Sequence, residues 1–216
     1  MTDTSPDTPP IRFPLAIAIT GGKGHGKDTV ARIIVENLGA EIVRFADGLK
    51  AMLRAYYRLC GLTDAETERR IEGDLKQEPC LWLGGKTPRY AMQTLGTEWR
   101  EMVWSKMWVN QLAERLRTST VPTVTPDMRF LIEESAFDDV GGIKLRVVNP
   151  RVAADASSLH VSETEMELIR VHETILNDGT IEDLAEKVRA VLLKIVAPVQ
   201  AASTEVVEKV TQGDRT

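Results

Sequence analysis

Cysteine is scarce in this 216-residue chain: Cys60 and Cys80 are the only two, which argues against a disulfide framework. Their spacing with the three histidines matches no zinc pattern. A reducing cytosol fits best, so the expected location is cytoplasmic. Long apolar runs are missing as well. The longest early one, Pro14 to Thr20, falls far short of the roughly 18 residues that a membrane-spanning helix needs. Its flank lacks the basic start of a signal peptide. There is no basic excess either: 27 Lys and Arg stand against 32 Asp and Glu, a net charge of −5. That speaks against stable nucleic-acid binding or attachment to anionic lipid, and any bound anion must be held by a local pocket. What remains, 43% hydrophobic and 27% charged residues, is the profile of a globular domain of enzyme size.

The first ten residues are polar and Pro-containing, and read as a flexible tail. Leu15-Ala-Ile-Ala-Ile19 is continuously apolar, as in a buried strand of a parallel sheet. After Gly21-Gly22 the period changes: Val30, Ile33, Ile34 and Leu38 form a helix stripe that stops at Gly39. A second strand is expected over Glu41 to Phe45. From Asp47 to about Leu116 the pattern is helical, interrupted at Gly61-Leu-Thr63 and again over Glu78 to Pro88, with Trp104, Trp108, Leu112 and Leu116 as one apolar stripe. Val121 to Asp127 reads as a strand edge reaching a turn, further strands are expected over Ile143 to Val148 and around His172 to Leu176, and a short helix is expected through Glu133 to Asp138. A final helix is expected on Ile181, Leu184, Val188, Val191, Leu192 and Ile195. Strands alternating with helices predict an α/β three-layer fold around a central parallel sheet, with ligands beyond the carboxyl ends of the strands.

Gly21-Gly22-Lys23-Gly24-His25-Gly26-Lys27-Asp28-Thr29 has the P-loop spacing and lies between a predicted strand and a predicted helix. The glycines let backbone N–H groups turn inward as a nest for phosphate at the positive end of a helix. Lys27 supplies a charge to the β- and γ-phosphates, Lys23 is a further phosphate contact, and His25 fills a permissive position. The residue after the lysine is Asp28 where Ser or Thr is usual, with Thr29 next. Both are candidate Mg2+ ligands, Asp28 on the metal side and Thr29 alternatively on the α-phosphate. Asp127, at the end of a predicted strand, stands where a carboxylate would orient Mg2+ or its water shell, and Arg129 could grip a phosphate bidentately.

The helical stretch carries cations near its breaks, Lys50, Arg89 and Arg100. Gln93, expected on the face of Arg89 and Arg100, could read a base edge through its amide. A solvated helix face is the plain alternative.

Gly26-Lys-Asp-Thr29, Phe45-Ala-Asp47-Gly-Leu-Lys50, Arg89 through Gly96-Thr97, Trp108-Val109, Pro126-Asp127-Met-Arg129, His160-Val-Ser-Glu163 and Asn177-Asp-Gly179 occur in the order seen in bacteriophage-type deoxynucleoside monophosphate kinases. From about Leu15 to Ile195 the chain resembles that family. The resemblance implies an adenylate kinase-like domain over 11–196, an acceptor-binding helical insert at about 46–117, a short lid at about 150–170, and a loose extension over 197–216. It implies that Arg129 holds the acceptor phosphate and that Arg151 and Arg170 are lid cations. Asn177, Gly179 and Thr180 would lie by the adenine of ATP. Asp47, Lys50, Arg89, Gln93, Thr97, Arg100 and Trp104 would meet a small-molecule (deoxy)nucleoside monophosphate.

The activity so implied is ATP- and Mg2+-dependent transfer of a γ-phosphoryl group to a dNMP, in the host cytoplasm if the gene is a phage's. Another small acceptor, a hydroxymethylated pyrimidine in DNA, and a non-catalytic nucleotide switch are the alternatives. Whether the tryptophan-bearing helix joins two copies as a homodimer stays open.

Overall fold

The computed structural model describes residues 15–152 and 161–196. The expected tail, the expected extension and the middle of the expected lid (153–160) lie outside the described residues.

The chain divides into two compact units, one holding the described residues of Met1–Val43 and Ala113–Thr216, the other Arg44–Leu112. The first unit is built on five parallel strands: β1 (Ala16–Thr20), β2 (Glu41–Ile42), β3 (Thr123–Thr125), β4 (Ile143–Val148) and β5 (Glu173–Leu176), in the order β2-β3-β1-β4-β5. β1 is central, and the chain leaves it through helix α1 (Lys27–Leu38) toward β2 on one side, whereas β4 adjoins it on the other. Such a reversal opens a crevice beyond the carboxyl end of the central strand, the usual ligand position in open parallel sheets.

Alternation along the strands explains the layers. Leu15, Ile17 and Ile19 of the β1 region and Ile143, Leu145 and Val147 of β4 share one core with α1 and the last helix, residues 181–196. Lys144 and Arg146, one register step away, point to the opposite face. There Lys144 meets Glu134 and Asp138 of a short helix, α7 (Glu134–Asp138), at 3.0 and 2.7 Å. The Arg146 guanidinium donates to the carbonyls of Met166, Glu167 and Ile169 at 2.9–3.1 Å, closing the end of helix α8 (Val161–Leu168). Helices therefore cover both faces, and the unit is α/β in three layers. Fully burying a side chain such as Ile17 contributes about 2 kcal/mol.

The second unit is helical: α2 (Asp47–Leu59), α3 (Asp64–Ile71), α4 (Pro88–Gly96), α5 (Glu98–Met102), and the start of α6 (Met107–Thr118), within which the chain passes back to the first unit. Its core is Leu49, Leu53, Tyr57, Leu62, Ile71, Cys80, Met92 and Trp108. Cys60 and Cys80 are free thiols. The Thr63 hydroxyl and Glu66 form a capping box that starts α3.

Four expectations need correction. β2 stops at Ile42, although the Val43 N–H still reaches the Val124 carbonyl at 3.0 Å. Gln93 and Arg100 do not share one helix face: Thr97 ends α4 and starts α5, its hydroxyl bonding back to the Gln93 carbonyl at 2.8 Å. Trp104 is not on the tryptophan stripe. It lies in the turn before α6, 49% exposed, while Trp108 is buried with its indole N–H on the Leu95 carbonyl at 3.1 Å. Ile181 opens the last helix outside its buried stripe, 67% exposed. No helix among the described residues is long and apolar enough to cross a membrane.

Candidate functional site

Beyond the carboxyl end of β1 the chain enters Gly21 with φ +141°, and a Cβ there would lie 2.3 Å from the Val147 carbonyl oxygen of β4. Only glycine lets the loop pass so close to the neighbouring strand. Gly26 leads into α1 with φ +97°, and a Cβ on it would lie 2.5 Å from Asn177 Nδ2. Between these two points the loop curls over the first turn of α1, whose leading N–H groups have no intrahelical partner. Such a loop over a helix N-terminus has the geometry that suits an anion.

The loop is braced from two strands. The Asn177 side-chain amide, just past β5, donates to the His25 carbonyl at 3.0 Å. His25 Nδ1 lies 3.3 Å from the Val147 carbonyl and 3.4 Å from the Asn149 N–H, so its ring spans the end of β4. Lys23, Gly24 and Asp28 are exposed, and Gly22 and Thr29 are half-buried.

Lys27 Nζ donates to the carbonyls of Gly21 and Gly22 at 2.6 and 2.7 Å, which lays the ammonium along the inside of the loop. Withdrawal from water pulls its pKa below the usual lysine value, and the positive charge of Arg129 pulls in the same direction, against the opposing pull of Asp28 and Asp127. All three charges thus bear on the Lys27 ammonium. Asp127, half-buried, and Arg129, exposed, are carried by the loop after β3, whose Met128 is fully buried with its N–H toward the Ile19 carbonyl of β1 at 3.3 Å.

Of the remaining sequence candidates of this unit, Arg151, Asn177 and Gly179 lie beyond the carboxyl end of β5, whereas Arg170 precedes its amino end. Arg151 donates a guanidinium N–H to the Asp178 carbonyl, and its own N–H bonds Asn149 Oδ1 at 2.9 Å. Gly179 precedes Thr180, which with Asp183 caps the last helix. Arg170 is exposed, with its N–H on Glu134 at 3.1 Å.

In the helical unit Asp47 accepts the Arg44 N–H at 2.8 Å and so fixes the start of α2. Lys50 pairs with Glu72 at 2.7 Å. Arg89 and Gln93, one turn apart on α4, are both exposed. Thr97 also bonds Glu98, and Arg100 is half-buried on α5.

Sequence reading missed two carboxylates. Glu133 is 7% exposed and accepts the N–H groups of Arg129 and Phe130 at 2.7 and 3.0 Å, while Glu165 of α8 accepts that of Leu131 at 3.1 Å. An acid placed just before a short helix was the only available signal for Glu133, and none pointed to Glu165.

Residues 86–188 match the family model of deoxynucleotide monophosphate kinase. That span holds the later motifs of the resemblance, from Arg89 to Asn177-Asp-Gly179. A protein of Acanthamoeba polyphaga mimivirus, whose name places it provisionally among the deoxynucleotide monophosphate kinases, is 26% identical over 191 residues, 80% of this chain and 93% of its own length. Among solved structures, a gluconokinase from Sinorhizobium meliloti 1021 aligns at TM-score 0.44 and 16% identity, over 89% of this chain and 99% of its own. Shikimate kinase from Aquifex aeolicus aligns at 0.44 and 13%, over 86% and 99%. Dephospho-CoA kinase from Campylobacter jejuni aligns at 0.43 and 16%, over 83% and 96%. The match to the deoxynucleotide monophosphate kinase model includes Arg89, Gln93, Asp127, Arg129 and Asn177. It supports a kinase, a nucleotide-binding phosphotransferase.

Proposed function

We propose that this chain is an ATP-dependent deoxynucleoside monophosphate kinase, converting a dNMP and ATP to a dNDP and ADP. The observation that carries the reading is the glycine loop over the first turn of α1 with Lys27 Nζ on the Gly21 and Gly22 carbonyls, in a chain whose residues 86–188 match the deoxynucleotide monophosphate kinase model. The glycine loop and the first turn of α1 would take the β-phosphate, and Lys27 would turn from its two loop carbonyls to the β- and γ-phosphates.

An oxygen of the acceptor phosphate attacks the γ-phosphorus, the bond from the bridging oxygen to that phosphorus breaks, and ADP leaves with the electron pair. The attacking oxygen is already anionic, so no side chain need remove a proton. Positioning and charge neutralisation carry the rate. Arg129 is the proposed grip on the acceptor phosphate, its planar fork suited to two oxygens at once. Arg151 is proposed as a further cation for the transferred group, and Asn177 and Gly179 as the adenine side. In the helical unit Arg89, Gln93 and Arg100 are the proposed readers of the acceptor, with Asp47, Lys50, Thr97 and Trp104 supporting them.

The donors around Lys27 fit Mg2+. Asp28, Asp127 and the Thr29 hydroxyl carry hard oxygen donors, the type that Mg2+ takes, one or two carboxylates sufficing when waters and phosphate oxygens complete its shell. When bound, Mg2+ would supply charge neutralisation on the phosphates.

The test is ADP release followed by a coupled assay across common and modified dNMPs. Release stimulated by at least one dNMP and lost in Lys27→Ala supports the proposal. Slow ATP turnover indifferent to every monophosphate would instead favour a nucleotide switch.

A further inference from the structure

The loop after β3 spends its backbone donors in an unusual way. Four consecutive N–H groups each have a fixed acceptor: Met128 bonds the Ile19 carbonyl of β1, Arg129 and Phe130 share Glu133 Oε2, and Leu131 bonds Glu165 Oε2. Glu133 and Lys144 are the only charged residues among the buried polar groups of the described chain. Taking a carboxylate out of water is costly unless hydrogen bonds compensate. A cap for the three-residue turn Leu131–Glu133 requires no such burial, because a serine or aspartate at the surface would serve.

What the arrangement accomplishes is local rigidity. Arg129 and Asp127 share this loop, and both act on Lys27. An arginine side chain has many rotamers, so the position of its guanidinium is only as well defined as the backbone beneath it. Glu133 grips that backbone at Arg129 itself and at the next residue. Glu165 extends the grip to Leu131, and α8, which carries Glu165, is held in turn by Arg146 from β4. The loop is thus referred to β1 at one end and, through α8, to β4 at the other.

We infer that Glu133 is a positioning residue: by holding the N–H groups of Arg129 and Phe130 it sets the backbone from which Arg129 reaches an acceptor phosphate, with Glu165 as its partner at Leu131. The inference rests on the reading of Arg129 as the acceptor-phosphate ligand. Glu133 touches no substrate in this scheme. Its effect is expected to fall chiefly on the acceptor, because the N–H groups it holds are those of Arg129 and Phe130.

The experiment compares Glu133→Ala, Glu133→Gln and Glu165→Ala in the full chain, measuring KM for the acceptor, KM for ATP, kcat, thermal stability and amide exchange of the ligand-free protein. Glu133→Ala is expected to raise the acceptor KM about tenfold or more, since small misplacements of a binding group cost factors of this order, and to leave the ATP KM within about twofold. Glu133→Gln keeps an amide oxygen for both N–H groups and should stay within about threefold of the parent. Glu165→Ala, which leaves the grip on Arg129 in place, should shift the acceptor KM in the same direction by less, and it stands in if Glu133→Ala does not fold. An unmoved acceptor KM in a less stable Glu133→Ala protein, or equal losses in the Ala and Gln variants, would overturn the inference. Amide exchange separates this from the underlying reading. Exchange at Arg129 and Phe130 must be slow in the parent and fast in Glu133→Ala even if no monophosphate is phosphorylated, and unchanged exchange overturns the inference whatever the activity.

Discussion

The Lys27 ammonium, laid on the Gly21 and Gly22 carbonyls, feels the positive charge of Arg129 from the loop after β3. Burial and then the guanidinium charge hold the ammonium's pKa below the lysine range, with Asp28 and Asp127 opposing. Such like-charge opposition would be relieved by a polyanion, as the proposed phosphate binding requires.

The pH dependence of ATP binding follows. Bound phosphate favours the ammonium, so the Lys27 pKa rises on binding, and one proton is taken up at pH values between the free and bound pKa. ATP affinity should therefore fall as pH rises through the depressed free value, by at most about tenfold per pH unit. Arg129→Met removes the like charge and should move that fall to higher pH. Calorimetric titration in two buffers of different ionisation enthalpy reads both the proton uptake and the shift.

Gly21 and Gly39 separate a conformational requirement from a steric one. Both have positive φ, but a Cβ at Gly39 meets nothing within 4 Å, whereas one at Gly21 meets the Val147 carbonyl at 2.3 Å. Gly39→Ala should cost only the left-handed penalty of about 1–2 kcal/mol and leave ATP binding intact. Gly21→Ala should cost more and abolish ATP binding. Denaturant unfolding with a nucleotide-binding assay checks both.

Much of this was legible in the sequence because the signals are local. The glycine loop, the strand before it and the helix after it are contiguous, and β4 spans the residues that its apolar run predicts, Ile143–Val148. What escaped depends on distant partners. Trp104 keeps the stripe's four-residue spacing, yet the chain breaks at Val103 and α6 starts only at Met107, which a periodicity cannot reveal. Glu133 and Glu165 look like ordinary surface acids until the fold brings Leu131 to Glu165, 34 residues away. α8 was hidden for the same reason, its end being closed by Arg146 from another strand.

Lys144 offers a prediction about stability alone. Its side chain is 8% exposed and pairs with Glu134, at 18%, and with the more exposed Asp138, at 54%. Removing the cation strands Glu134 near the sheet, so Lys144→Ala should lose about 3 kcal/mol, the low end for a broken buried pair because Asp138 can turn to water. Lys144→Met with Glu134→Leu should recover much of that loss. Urea unfolding of the single and double variants measures it, and KM for ATP should not change in either.

In the proposed reaction the γ-phosphoryl group passes to a deoxynucleoside monophosphate. Incubating the protein with Mg2+, a dNMP and ATP labelled in its γ-phosphoryl group, then separating the nucleotides, tests it most directly. Label in the dNDP, absent with Lys27→Ala and reduced with Arg129→Lys, is the predicted result. Label found only in inorganic phosphate, at a rate the same with and without any dNMP, would contradict it.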